Sequence, residues 1–245
     1  MKPFLTANWH KLVFANYIVD PSVLTPYLPA GTTIDLFEGH CYVSLVGFLF
    51  LNTRIKGISY PLHKNFEEFN LRFYVQFKEG DTFKRGVVFV KEIVPRRMIS
   101  YVARLLYGEH YYYHPMRHSI DQHGEMTTVK YAFLYNRKWN HVQVLAKQTP
   151  TSLVPGSEAA FITEHYWGYT RRGAHVTSEY QVQHPVWNIH EVTAYDIACD
   201  TRSLYGSAFH EYLSARPSSI FMADGSAVRV FERKIHSFKS PFLIS

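Results

Sequence analysis

Apolar and polar positions alternate with a period of two through much of the chain, the mark of strands whose two faces meet different surroundings. In Leu71-Arg72-Phe73-Tyr74-Val75-Gln76-Phe77, Leu71, Phe73, Val75 and Phe77 fall on one face, and Arg72, Tyr74 and Gln76 on the other. Lys78-Glu79-Gly80-Asp81 reads as a turn, so this segment is predicted to pair antiparallel with Gly86–Ile93. Runs rich in β-branched and aromatic residues, bounded by turn formers, predict further strands over Leu12–Tyr17, Cys41–Thr53, Thr127–Tyr135, Trp139–Lys147, His175–Gln183, Val186–Ala194 and Ala227–Phe231.

The period changes after Pro95. Met98, Ile99, Val102, Leu105 and Leu106 follow helical spacing up to Gly108, which places Arg96 and Arg97 in the first turn. Short helices are predicted at Ser157–Glu164, capped by Ser157, and at Thr201–Leu213. The expected class is α+β, predominantly antiparallel β, with the sheet closed into a barrel or cone and a few helices inserted. Closure would remove the exposed edges that so many aromatic strands would otherwise present. No linker, repeat or low-complexity tract divides the chain, so residues 1–245 are expected to form one domain.

Composition agrees with that class. Of 245 residues, 47% are apolar, 19% charged and 16% aromatic, which excludes disorder, collagen-like repeats and a coiled coil. The aromatic excess suits a strand-rich core and an apolar pocket equally well. The formal charge is +6, and its densest clusters are pairs such as Arg96-Arg97 and Arg171-Arg172. No recognition helix, zinc finger or RNA-recognition signature accompanies them, so nucleic acid is not an expected partner. Cys41 and Cys199 are far apart in apolar contexts, which points to small buried hydrophobes and away from a disulfide framework. The start of the chain lacks the apolar run of a secretory signal, and the longest apolar stretch, Val43 to Leu51, is too short for a membrane helix. A soluble cytoplasmic protein with no membrane association is the expectation.

Motif searches narrow the chemistry. His110, His114 and His118 are spaced by four, but Pro115 and three consecutive tyrosines oppose a helix there, so a metal is not expected. Neither Pro155-Gly156-Ser157-Glu158 nor Asp224-Gly225-Ser226-Ala227 completes a serine-hydrolase elbow, and no glycine-rich nucleotide loop occurs. No cofactor is implied. Two polar-aromatic segments remain, Phe66–Tyr74 and Thr163–Tyr169. If Arg72 points inward it needs an acidic partner, for which Glu92 and Glu109 are the candidates, because an unpaired buried charge is costly. Tyr166 and Trp167 are candidate pocket-lining aromatics; structural packing is the alternative for His165 and Trp167.

Several longer runs carry a family resemblance. Asn16-Tyr17, Leu28-Pro29-Ala30-Gly31-Thr32, Tyr42–Phe48, Phe66–Val75 and Arg85–Arg96, together with Glu164–Tyr169, His184-Pro185-Val186-Trp187 and Ala223-Asp224-Gly225-Ser226, resemble the bacterial YqjF-like family of unknown function. The resemblance extends through nearly the whole chain and implies a fold near that of the acetoacetate decarboxylases, a closed antiparallel sheet around an apolar cavity. Decarboxylases of that superfamily form a Schiff base on one lysine of an adjacent pair, whose pKa the neighbouring lysine and desolvation lower. The corresponding stretch here, Lys91-Glu92-Ile93-Val94-Pro95-Arg96-Arg97, puts Arg96 and Arg97 at the pair. A guanidinium stays protonated and forms no imine, and Lys91 falls on a different face.

The resulting expectation is a domain that binds a small organic acid or carbonyl compound in an aromatic-lined cavity. Arg72, Arg96 and Arg97 would contact the anion, and Glu92 would orient them. Alternatives are a non-covalent lyase or hydrolase using Glu92, Glu109 or Tyr107 as acid and base, and a structural or interaction protein without a ligand. Monomer and homo-oligomer are both compatible with the sequence.

Overall fold

The computed structural model describes residues 2–96 and 111–238. In chain order its strands are β1 (Leu5–Val19), β2 (Thr32–Ile34), β3 (Cys41–Ile55), β4 (Phe66–Glu79), β5 (Thr82–Val94), β6 (Tyr111–Tyr113), β7 (Met116–His123) and β8 (Met126–Tyr135). There follow β9 (Lys138–Lys147), β10 (Trp167–Gly173), β11 (Val176–Gln183), β12 (Ile189–Ala198), β13 (Ser219–Ala223), β14 (Ala227–Val230) and β15 (Lys234–Ser237). Pairing is mostly antiparallel, with short helices between strands.

The strands lie in the order β14-β11-β10-β5-β4-β3-β1-β13-β12-β9-β8-β7, and β1 also pairs with β14. The long first strand makes this possible by changing partner along its length. Leu5 to Asn8 run beside β14, and Leu12 to Asn16 beside β13. Strands β1, β3, β4, β5, β10, β11 and β14 therefore close into a ring, while β13, β12, β9, β8 and β7 continue the sheet beyond it.

The central ring strands β3 and β4 bury both faces over most of their length. On β4, Phe69, Leu71, Phe73, Val75 and Phe77 join Val129, Tyr131 and Phe133 of β8 and Val142 and Val144 of β9 in one core, outside the ring. The opposite face turns inward with Phe48, Phe50, Phe66, Tyr74 and Trp187 in a second core. One set of strands thus serves two apolar layers, which accounts for much of the aromatic content. Gly47 permits the outer layer to close: a Cβ there would lie 2.8 Å from the Tyr131 ring.

The hairpin through Lys78–Asp81 forms as predicted, joining β4 and β5. Helix Glu158–Thr163 also forms, with the Ser157 side chain accepting from the Ala160 N–H. The segment predicted as one helix over Thr201–Leu213 is two, Thr201–Tyr205 and Ser207–Leu213, because Gly206 at φ +87° breaks it. Strand β4 begins at Phe66, ahead of the predicted Leu71, which takes Glu68 and Asn70 into the sheet. The helix expected after Pro95 lies outside the described residues. Among the described residues no helix is long and apolar enough to cross a membrane.

Candidate functional site

The inside of the ring encloses a cavity of about 370 Å³, to which every ring strand contributes side chains. Its walls are mainly apolar: Trp9, Phe48, Phe50, Phe66, Tyr180 and Trp187 dominate one part. The polar groups come from the inward face of β4, where Glu68, Asn70 and Arg72 alternate with core residues. Glu92 joins them across the sheet, opposite Asn70 in the β4–β5 register. That register shifts between Leu71 and Arg72, so Arg72 faces Phe89 and Leu71 faces Lys91. The extra residue of this β-bulge resets the pleat and turns both Phe89 and Glu92 inward.

Among the described residues Arg72 is the only Lys or Arg that lines the cavity. Its Nη2 donates to the Ile162 carbonyl at 3.0 Å, and its Nε donates to the Tyr74 hydroxyl at 3.4 Å. The guanidinium also lies 5.1 Å from the ring centre of Phe14 and 5.5 Å from that of Tyr74. Among the described residues no carboxylate oxygen comes within ion-pair distance of it. The expected direct pairing of Arg72 with Glu92 is therefore absent, because the two project from different strands on either side of the bulge. Glu109, the other expected partner, lies outside the described residues.

Arg72 is instead the head of a relay of side-chain hydrogen bonds. Tyr74 donates to Ser44 Oγ at 2.6 Å, and Ser44 donates to Asn16 Oδ1 at 2.6 Å. Asn16 Nδ2 donates to Ser219 Oγ at 2.9 Å, and Ser219 donates to the Glu158 carboxylate. Every donor in this chain points the same way, from guanidinium to carboxylate, so each bond polarises the next. The register that stacks Ser219, Asn16, Ser44 and Arg72 on adjacent strands puts the links side by side.

Two titratable groups flank Arg72. Burial pushes the Glu68 carboxyl up to about 7, against hydrogen bonds from Asn70 and Tyr111 and the field of Arg72. Burial also lowers His165 to about 4, so its ring is neutral at physiological pH. The neutral ring donates from Nε2 to Asp35 Oδ2 at 3.0 Å, and Arg85 Nε donates to the same oxygen at 2.7 Å. Burial opposes ionisation of Asp35, but these two donors hold its carboxyl below the usual range. His165 Nδ1 is then an acceptor, buried without a partner among the described residues, as is Asn70 Oδ1.

The remaining sequence candidates distribute unevenly. Trp167 lines the cavity, with Lys84 Nζ 4.2 Å from its ring centre. Tyr166 stands one shell back, donating to Glu164 and packing 4.8 Å from His184, which does line the cavity. Arg96, expected as an anion contact, is exposed just beyond β5, next to residues outside the described set. Strand β5 ends at Val94, two residues before Arg96. Arg97, Tyr107 and Glu109 lie outside the described residues. Lys91 projects to the opposite side of the sheet, where Nζ donates to the Leu204 carbonyl at 2.5 Å. No lysine lines the cavity among the described residues, and the sequence 97–110 contains none.

Glu68, Asn70 and His165 were not singled out from the sequence as site residues. The signal for the first two was their period-two spacing with Arg72. Recognising it requires knowing that the second face of β4 looks into a cavity. His118, one of the spaced histidines, instead bonds Glu67 at 2.7 Å on the edge of the sheet. Among the described residues no cluster of His, Cys, Asp or Glu is arranged to hold a metal ion.

A ring of strands around a cavity of this kind is the acetoacetate decarboxylase-like fold. The chain superposes on acetoacetate decarboxylase from Legionella pneumophila with a TM-score of 0.64 and 10% identity, covering 96% of this chain and 87% of that one. An acetoacetate decarboxylase-like enzyme from Sphingomonas wittichii RW1 gives 0.66 at 12% identity, over 97% and 95% of the two chains. The enduracididine biosynthesis enzyme MppR, complexed with the condensation product of pyruvate and imidazole 4-carboxaldehyde, gives 0.66 at 12% identity over 98% and 92%.

Residues 6–227 match the model of DUF2071, a family of uncharacterised conserved proteins, and the chain belongs to that family. It is 29% identical over 111 residues to the uncharacterised protein YqjF of Bacillus subtilis (strain 168). That alignment spans 45% of this chain and 44% of YqjF, less than half of the relative's length.

Proposed function

We propose that this protein binds a small organic acid or carbonyl compound inside the ring, with Arg72 as its anion contact and without a Schiff-base lysine. The observation that carries the reading is the buried guanidinium of Arg72 in a largely apolar cavity, with no carboxylate at ion-pair distance among the described residues. Burying a cation without a counter-charge is costly, and a bound carboxylate offsets that cost. Ile162 and Tyr74 take Nη2 and Nε, which leaves Nη1 for an incoming oxygen. Glu68, neutral below about pH 7, does not repel an anion there. One fold neighbour, MppR, is described in complex with pyruvate, which is consistent with an organic acid in a cavity of this shape.

The test is calorimetric titration of the wild-type protein and Arg72→Gln with pyruvate, acetoacetate and simple carboxylates, alongside borohydride reduction in their presence. Saturable binding that Arg72→Gln abolishes, with no mass increase after borohydride, supports the reading. A covalent adduct on any lysine, or no binding by any acid, overturns it.

A second reading, proton transfer without covalent catalysis, is favoured by one observation: Glu68 is poised near neutral pH inside the cavity. It predicts that the protein catalyses solvent deuterium exchange at carbon adjacent to the carbonyl of a bound keto acid. Unchanged exchange rates in wild-type protein would remove it.

A further inference from the structure

The cavity is segregated by polarity along its length, and this bears on the size and character of what it holds. Arg72 and His165, whose ring packs 4.8 Å from that of Tyr74, mark one end; Asn70 and then Glu68 follow along β4, with Glu68 opposite Phe48 at the border of the aromatic part. Toward the Phe66 end of β4 the register brings Phe50 opposite Phe66 and Trp9 opposite Phe50. Phe50 stacks on Phe66 with ring centres 4.7 Å apart, and Trp9 meets Phe48 and Phe50 edge-on at 5.3 and 5.8 Å. Six residue steps of extended chain lead from Phe66 to Arg72, about 20 Å at ~3.3 Å per step. The cavity continues past the aromatic cluster to Tyr60, which is 46% exposed, so it reaches solvent at its apolar end.

We propose that the ligand is an acid with an aromatic or bulky branched apolar tail, its carboxylate at Arg72 and its tail between Trp9, Phe50 and Phe66. This rests on the reading of Arg72 given above and extends it. A three- or four-carbon acid engages only the polar end and leaves the aromatic half filled with poorly bonded water. A volume of about 370 Å³ lies in the range of pockets that enclose larger organic ligands. The arrangement places the charged end innermost and the apolar tail toward the opening. Entry of the acid then requires the carboxylate to pass the aromatic section, and burial of the tail offsets the loss of its hydration.

The discriminating experiment titrates the wild-type protein with propanoate, butanoate, 6-phenylhexanoate, 8-phenyloctanoate and 8-phenyloctan-1-ol, the phenyl compounds being long enough to reach from Arg72 to the aromatic section. The phenyl acids are expected to bind roughly tenfold or more tightly than propanoate, the increment that burial of a phenyl group supplies. The alcohol, which lacks the anion, is expected to bind more weakly than the matching acid. Ile55→Trp, which fills the outer part of the cavity, is expected to reduce phenyl-acid affinity to the level of propanoate while leaving propanoate unchanged. Equal affinity for propanoate and phenyl acids, both lost in Arg72→Gln, overturns the apolar-tail proposal and leaves the organic-acid reading standing. Binding by none of the acids overturns both. An alcohol as tight as the acid overturns the role given to the carboxylate.

Discussion

Arg72 donates a hydrogen bond from Nη2 to the carbonyl of Ile162, a residue ninety positions later at the end of the Glu158–Thr163 helix. The helix is itself fixed by Glu158, which accepts from Tyr42 at 3.2 Å and from Ser219. Arg72 is thereby aimed at both ends of one circuit: directly by the helix, and through Tyr74, Ser44, Asn16 and Ser219 by the carboxylate at its start. Strand β4 supplies the charge, but the helix decides where the charge points.

Arg72→Lys tests whether that aim matters beyond charge. A lysine keeps the cation but loses the planar fork that engages Ile162, Tyr74 and an incoming oxygen together. Acid affinity is expected to fall about tenfold, measured by titration calorimetry, while the fold is retained by circular dichroism. Unchanged affinity would show that a point charge suffices.

Ser44→Ala cuts the relay at its middle. It leaves the buried Tyr74 hydroxyl without its acceptor and Asn16 Oδ1 without its donor. The expected loss is about 1–3 kcal/mol in urea unfolding, the usual penalty for stranding buried polar groups. A neutral result would mean that water or a rearranged Asn16 satisfies both atoms.

Glu68→Gln has a pH signature. The folded-state value of about 7 lies above the ordinary 4.5, so the folded protein retains a proton that the unfolded chain has released between those values. The stability tied to the neutral carboxyl is full below about pH 4.5 and is lost as pH rises through about 7. Glutamine stays neutral throughout, so the melting temperature of Glu68→Gln relative to wild type is expected to rise from pH 5 to pH 8. Acid affinity should likewise fall across pH 7 in wild type, as Glu68 ionises, and hold steady in the variant. Parallel pH profiles in the two proteins would contradict a raised Glu68.

Gly168→Ala probes the cavity wall. Gly168 faces Tyr180 across β10 and β11, and an added Cβ would fall 2.1 Å from the Tyr180 ring. The ring must move, at an expected cost of about 1–3 kcal/mol for overpacking. Adding Tyr180→Leu to this variant is expected to restore part of the loss, and a double-mutant cycle measures the coupling. Strict additivity would show that the ring was not the obstacle.

Much of the framework was readable in the residues because its causes are local. The β4–β5 hairpin follows from alternation ending at Gly80, and the Glu158–Thr163 helix from a serine placed to cap it. The split at Gly206 was missed because a single glycine is a weak signal inside an otherwise helical run. Strands β7, β10 and β13 were missed for a different reason. Met116–His123 is a largely exposed polar strand without clear alternation, and Ser219–Ala223 is a short run that becomes a strand only when β1 lies beside it.

The site divides along the same line. Arg72 and Trp167 stand out in the sequence and line the cavity, whereas Arg96 is exposed just beyond β5. Glu68 and Asn70 were visible as polar residues near a strand but not as cavity residues. Alternation assigns a residue to one of two faces from nearest-neighbour geometry alone, so the residues themselves establish the strands, their two-faced character and the absence of a lysine from the stretch after Pro95. Which face encloses a cavity depends on β1 turning from β13 to β14 and closing the ring, a contact between segments more than two hundred residues apart. That closure, with the bulge opposite Arg72, is a property of long-range pairing, and only the tertiary structure decides it.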